Sequence, residues 1–138
     1  MQTIVSMLTP VASSQGATVW RTPGVAITRE QCPALVVFAE GETISERANE
    51  RVSRELTLRI TAVARAVPPV IPETLADALL CAAHLALMQD TNLGGLALGL
   101  REMDCDWEVE DADALACAIP ARYQVTYRTL ACDISAQG

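Results

Sequence analysis

Acidic side chains alternate along one predicted strand near the C-terminal end and form the densest group of potential metal ligands in the sequence. They are Glu102, Asp104, Asp106, Glu108 and Glu110. A metal ion needs ligands that converge from several elements, whereas a single file on one strand face diverges. Acid–base catalysis by paired carboxylates needs a pocket that drives their pKa values apart, and an exposed row offers none. Two interpretations stay open: a solvated sheet face, or a face that meets arginine from a neighbouring subunit or lines an acidic channel.

The other residues with reactive side chains are scattered. His84 is the only histidine, lies among Ala and Leu, and is interpreted as structural. Ser13 and Ser14 lack the G-x-S-x-G context of a nucleophile, and residues 95–99 do not form a phosphate-binding loop. The five cysteines contain no C-x-x-C pair, which is typical of reduced cysteines in a cytosolic protein. We therefore expect no catalytic, metal-binding or cofactor-binding residues, and no enzymatic activity.

The acidic row belongs to a predicted strand that starts at Leu96. Its other face carries Trp107, and we expect that face to pack on the core, since burying the row would desolvate five carboxylates. A turn at 111–114 leads to a returning strand, Leu115 to Leu130. Its two faces carry Tyr123, Val125 and Tyr127 on one side, and Arg122, Gln124 and Arg128 on the other.

The clearest helix is predicted over Pro72 to Asp90. Pro72 suits a first helical position, the interior is rich in Ala and Leu, and Asn92, Gly94 and Gly95 follow as stop signals. Because the helix is apolar nearly all round, we expect one face on the sheet and the other on a second subunit. The candidate interface residues on this helix are Leu79 and Leu80.

Two strands are predicted before this helix. The run after Pro33 is continuously apolar, whereas Arg54 to Arg65 alternates strictly, which is typical of an antiparallel strand with one buried face. Residues 42–53 between them are polar and are predicted to be a projecting connector, either a mobile loop or an arm that orders on a partner. The candidate residues for contact with a subunit or a tube are Glu46, Arg47, Glu50, Arg51 and Arg54.

The N-terminal region predicts a short helix from Gln2 to Leu8, ended by Pro10, and then a short strand over Ala17 to Arg21. Together these elements predict an α+β fold: an antiparallel sheet of about four or five strands of mixed length, with helices packed on one face. We expect a single domain over residues 1–138, with a flexible end at about 132–138.

Composition narrows the possible partners. The net charge is −7, and all ten basic residues are arginine. No basic patch is present, which argues against a general nucleic-acid-binding protein. No apolar run reaches the roughly 20 residues of a membrane span, and no secretory signal is evident, so we expect no membrane partner.

Residues 93–129 carry a family resemblance. They resemble the end of the tail terminator family of long-tailed bacteriophages, in which a helix precedes an acidic strand, an Asp-rich turn and a strand ending Y-x-V-x-Y-x-T. In this chain that ending is Tyr123, Val125, Tyr127 and Thr129. Residues 33–37 with 54–60 are similar to the central hairpin of the family, so the resemblance covers about residues 30 to 130. The N-terminal helix that the family usually carries is predicted to be short here.

The resemblance implies a structural virion protein. Such a protein assembles into a hexameric ring that caps the tail tube, ends its polymerisation and gives the head connector a docking surface. The implied partners are further copies of the chain, the tail tube protein and a head completion protein, with DNA passing without specific binding. The excess of acidic residues agrees with a channel for DNA, because like charge repels phosphate. The implied location is the head-proximal end of the virion tail, and the host cytoplasm during assembly.

Two other classes of protein stay open. One is another neck or head–tail completion protein. The other is a small-molecule-binding module or enzyme subunit with its pocket between helix and sheet.

Overall fold

Two helices and five strands make up the fold. The computed structural model describes residues 1–107 and 116–138. In chain order the elements are α1 (Gln2–Ser14), β1 (Thr18–Arg21), a 3-10 turn (Arg29–Gln31), β2 (Ala34–Ala48), β3 (Arg51–Arg65), α2 (Pro72–Gln89), β4 (Gly99–Cys105) and β5 (Ala116–Leu130).

The strands form one sheet in the order β1-β2-β3-β5-β4. β1 runs parallel to β2, and every other neighbouring pair is antiparallel. Both helices contribute to a single core with one face of the sheet. The α+β prediction is therefore confirmed, with the added detail that the parallel pairing of β1 makes the sheet mixed.

The alternation of β3 sorts its side chains as predicted. Leu58, Ile60, Ala62 and Ala64 are all fully buried beneath the helices. The residues between them, such as Arg59, point to the opposite face, because successive side chains of a strand alternate. We call this second, helix-free face the open face. Residues 23–27 lie against one end of it.

The N-terminal helix is longer than predicted. α1 runs from Gln2 to Ser14 with Pro10 inside it, so the expected end at Pro10 was wrong. Ile4, Leu8 and Ala12 are at most 1% exposed and lie one turn apart on one side of the helix. Burial of this continuous apolar stripe outweighs the backbone hydrogen bond that proline cannot make.

The predicted connector at 42–53 is not a loop. Its residues belong to β2 and β3, which pair down to Ala48 and Arg51. The two-residue turn between them is Asn49-Glu50, with φ values of 49° and 63°. Positive φ at both positions is the backbone of a tight hairpin turn whose twist matches that of the strands. Since β5 pairs with β3 as far as Arg51, the hairpin is the distal half of the main sheet.

The acidic strand contains a bulge that the sequence did not reveal. Glu102 pairs with Tyr123, but Asp104 pairs with Arg122, so Met103 is an extra residue in β4. A bulge of one residue reverses the alternation of side chains beyond it. Glu102 therefore lies on the helix side of the sheet and Asp104 on the open face. The expectation that the row shares one face was wrong.

The C-terminal end folds back onto the sheet, unlike the flexible end expected at 132–138. Gly138 N donates to Arg128 O, and the side chain of Gln137 donates to Gly95 O. Asp133 organises the reversal, since its carboxylate accepts from both the backbone and the hydroxyl of Ser135. Such a local turn satisfies backbone groups that a free end would leave to water.

Candidate interaction surfaces

The open face of the sheet collects most of the basic residues. The strand registers place six of the ten arginines there: Arg51, Arg59, Arg65, Arg101, Arg122 and Arg128. The acidic side chains on the same face are Glu40, Glu46, Glu55 and Asp104. Among the described strand residues of this face, arginines outnumber acidic side chains six to four, and Glu30 and Asp106 lie near Arg65 and Arg122.

Arg59 and Arg122 form the centre of the open face. They lie directly opposite each other on β3 and β5. Arg59 Nε is 3.4 Å from Glu40 Oε1, and its guanidinium lies 5.0 Å from the ring centroid of Phe38. Arg122 makes a two-point ion pair with Asp104. A hydrogen bond from Arg122 holds the pKa of the Asp104 carboxyl below its usual value.

Three members of the predicted acidic row are described, and all three are exposed: Glu102, Asp104 and Asp106. Glu108 and Glu110 lie outside the described residues. The expectation that Trp107 marks a core-facing side was wrong, because Trp107 is 58% exposed. The helix-side positions of β4 belong to Leu100, Glu102 and Cys105 instead, since these pair with the helix-side residues of β5.

The predicted arm residues fall into two groups. Glu46, Arg47, Glu50 and Arg51 are exposed around the hairpin tip. Arg54 is already engaged within the chain, by the two partners described next. The prediction that Arg54 is available to a partner was therefore wrong.

Arg54, Glu42 and Tyr127 form a polar cluster on the helix side of the sheet, beyond the helices. Arg54 Nη1 donates to Glu42 Oε1 at 2.7 Å, and its Nε donates to Thr129 Oγ1 at 3.1 Å. The Tyr127 hydroxyl donates to the other oxygen of Glu42. This hydrogen bond, followed by the Arg54 contact, lowers the pKa of Glu42. Burial and the same hydrogen bond raise the pKa of Tyr127 to about 12.

Leu79 and Leu80 lie inside the protein. They are 1% and 9% exposed and pack in the shared core, so their assignment to a subunit interface was wrong. An apolar helix can bury any of its sides, and the sequence does not tell which one faces the sheet.

The outer side of α2 nevertheless remains apolar. Leu75 is 39% exposed and Leu85 is 63% exposed, and Ala78 and Cys81 are exposed between them. Together with Ala82, these residues form what we call the outer stripe of α2. Glu73 and Asp77 are exposed at its N-terminal end, and the helix has no Arg or Lys.

His84 borders a groove of about 430 Å³ between α2 and β4. Its Nδ1 lies 3.1 Å from the Tyr123 hydroxyl and 3.9 Å from Glu102 Oε2. Burial raises the pKa of Tyr123, so this hydroxyl stays protonated at neutral pH. The histidine thus satisfies a buried tyrosine, which agrees with its predicted structural role.

A second groove, of about 450 Å³, lies on the open face. Its walls are largely apolar and include Val25, Val36, Phe38 and Val63, with Arg65 at the side. Within residues 1–107 and 116–138, no group of three His, Cys, Asp or Glu side chains is placed to hold a metal ion. In the same part of the chain, no helix has both the length and the hydropathy of a membrane span.

The sequence missed the arginine cluster of the open face. Its signal was present in β3, where Arg59 and Arg65 alternate with the buried residues. The contributions of Arg101 and Arg122 required the strand order, in which β5 inserts between β3 and β4.

Comparison with known proteins adds one finding. No family model matches the chain, and no curated protein matches it. Among solved structures it is similar to a chain from the virion of a native gene transfer agent (GTA) particle, with a TM-score of 0.55 and 14% identity. The match covers 89% of this chain and 90% of that chain, so the two share a fold over almost their full described lengths. The resemblance to the tail terminator family stays a prediction.

Proposed function

We propose that this protein is a structural component of a phage-like virion, and that it acts as the tail terminator: a ring that caps the tail tube and receives the head connector. The observation that carries the proposal is the fold shared with a chain of the gene transfer agent virion, over 89% of this chain. The Y-x-V-x-Y-x-T motif in the sequence supports the assignment as a tail terminator. This motif lies on β5, next to the central strand of the sheet.

The architecture suits a ring subunit. A ring needs two different surfaces on each copy, one for each neighbour. The open face and the outer stripe of α2 are two such surfaces on opposite sides of the sheet. The hairpin tip, with Glu46, Arg47, Glu50 and Arg51 exposed, is a third surface that is free for the tail tube or the connector.

The charge of the chain suits a channel for DNA. With a net charge of −7 per copy, a ring of six copies carries a strongly negative field. Like charge keeps phosphates from adhering to the wall, so DNA can pass without specific binding. This field weakens with salt over a Debye length of about 10 Å at 0.1 M.

The test is imaging of the particle with and without the protein. Particles should carry a ring of this chain between the tail tube and the head. When the protein is depleted, tubes should grow beyond their normal length and remain without heads. Tubes of normal length that fail to join heads would instead identify a head–tail completion protein. A folded monomer absent from the particle would exclude both roles.

A further inference from the structure

We propose that copies of this chain join head to tail: the outer stripe of α2 in one copy docks on the open face of the next. This inference rests on the ring of the proposed function and specifies the interface that builds it. The occupant of both surfaces is a second copy of the chain, and three features of the structure argue for it.

The first feature is complementary charge at matching spacing. Glu73 and Asp77 lie one helical turn apart, with about 5–6 Å between their Cβ atoms. Arg59 and Arg122 lie directly opposite on neighbouring strands, with Cβ atoms about 4.5–5.5 Å apart. Arg122 uses Nε and Nη2 for Asp104, which leaves its Nη1 for a carboxylate of the neighbouring copy.

The second feature is an unused donor. Arg59 Nε is buried and makes no hydrogen bond to any described residue, although Glu40 lies nearby. The two arginines also repel each other across the strand pair, since like charges directly opposite are unfavourable. Glu40 and Asp104 offset part of this repulsion, and a further carboxylate placed over the two guanidinium groups offsets more of it.

The third feature is apolar complementarity. The outer stripe exposes apolar side chains to water along the helix, namely those of Leu75, Ala78 and Leu85. The open-face groove of about 450 Å³ lies beside the arginines and is lined by Val36, Phe38 and Val63. Phe38 contacts both the groove and the Arg59 guanidinium, so a helix that pairs with Arg59 also covers the groove.

The geometry favours a ring over a pair. The two surfaces differ and lie on opposite sides of each copy, so every copy offers one of each to a neighbour. Such heterologous contacts close into rings when the rotation between neighbours allows it. A symmetric contact between two α2 stripes would leave the open-face groove uncovered.

The experiment reverses charges on each surface in the full chain. Arg122→Glu and Asp77→Arg, each alone, should lower the ring fraction at least tenfold by light-scattering size analysis and negative-stain imaging. The double variant Arg122→Glu with Asp77→Arg should recover rings, because its reversed surfaces match again. Arg122→Glu loses the ion pair with Asp104 and places a carboxylate opposite it, while Arg59 faces the new carboxylate from the other side. A melting curve must therefore show that this variant stays folded, and Asp77→Arg and Leu85→Glu test the interface if it does not.

A matched control has the same total charge as the double variant. Asp77→Arg combined with Arg21→Glu, an exposed arginine on β1 outside the open face, should not recover rings. Leu85→Glu should also lower the ring fraction without changing the fold, because its side chain is 63% exposed.

The outcomes separate the interface from the proposed function. If the wild type forms rings, the Arg122→Glu variant still forms them and the Leu85→Glu variant does not, the contact is between two α2 helices. That outcome would overturn this interface and leave the proposed function intact. Rings formed by every variant would also overturn this interface and leave the terminator proposal intact. A wild-type chain that forms no ring, alone or on the tube, would overturn both.

Discussion

Replacing Tyr127 by Phe tests the polar cluster of the distal sheet by removing a single hydroxyl group. That hydroxyl donates to the Glu42 carboxylate, which Arg54 also contacts. A hydrogen bond to a charged group contributes about 1.5–3 kcal/mol. The Glu42 side chain is 33% exposed, and water screens part of this contribution. We expect the free energy of unfolding at neutral pH to fall by about 1–2 kcal/mol.

Stability above pH 10 provides a second, independent test of the same variant. The pKa of Tyr127 is raised from 10.0 to about 12 in the folded state, chiefly by burial. Below pH 10 both states keep the proton; above it the unfolded chain releases the proton first, so wild-type stability falls as pH rises. At about 1.36 kcal/mol per pH unit, the interval up to pH 12 bounds this loss at about 2.7 kcal/mol. The Phe variant lacks this loss, so the two stabilities should converge.

The acid side has the opposite sign. The pKa of Glu42 is lowered in the folded state by the hydrogen bond from Tyr127 and by Arg54. Its contribution is present above the ordinary glutamate pKa of 4.5 and is lost as pH falls through the lower folded value. The variant, which lacks the first cause, should lose less stability on acidification.

Urea unfolding followed by circular dichroism, from about pH 3 to about pH 12, measures both effects. The difference between wild type and variant removes the titration of cysteines, which both proteins share. Tyrosinate absorbance gives a direct check, because the chain has two tyrosines and the variant keeps only Tyr123. Stability curves that stay parallel across the whole pH range would refute the assigned hydrogen bond.

Three further predictions follow from burial and pairing. Leu79→Ala should lower the free energy of unfolding by about 2–5 kcal/mol, whereas Leu85→Ala should change it by less than about 0.5 kcal/mol; similar losses would contradict the orientation of α2. His84→Ala should cost about 1–3 kcal/mol by leaving the Tyr123 hydroxyl without its partner, and stoichiometric zinc in a metal analysis of the wild type would contradict the structural role of His84. Backbone amides of residues 51–56, which have paired strands on both sides, and alternate amides of residues 42–48, which pair with β3 alone, should exchange slowly in the monomer; fast exchange of all of them by mass spectrometry would restore the loop that the sequence predicted.

The sequence correctly predicted the elements that are determined by residues close to one another along the chain. The strict alternation of β3 placed Leu58 and Ile60 correctly, and the start of α2 at Pro72 was confirmed. Both signals depend only on neighbours along the chain, and they were sufficient for the α+β class.

The errors occurred where distant contacts decide. Residues 42–48 have polar side chains on both faces, so they carry no apolar period, and only pairing with β3 makes them a strand. The helix continues through Pro10 because the apolar stripe around it is buried. The bulge at Met103 has no sequence signature, because it arises from the register between β4 and β5. The core position of Leu79 likewise follows from how α2 meets the sheet.

The bulge in β4 also bears on how the chain avoids uncontrolled association. Within the described strands, β4 lies at one edge of the sheet, where unpaired backbone groups can template the addition of a foreign strand. An edge that is bent, and that carries Glu102 on one side and Asp104 on the other, presents charge to any strand approaching from either face. Edge-to-edge growth into fibrils is thereby discouraged. The chain can then accumulate at high concentration as separate copies, and association is left to surfaces that can close on themselves.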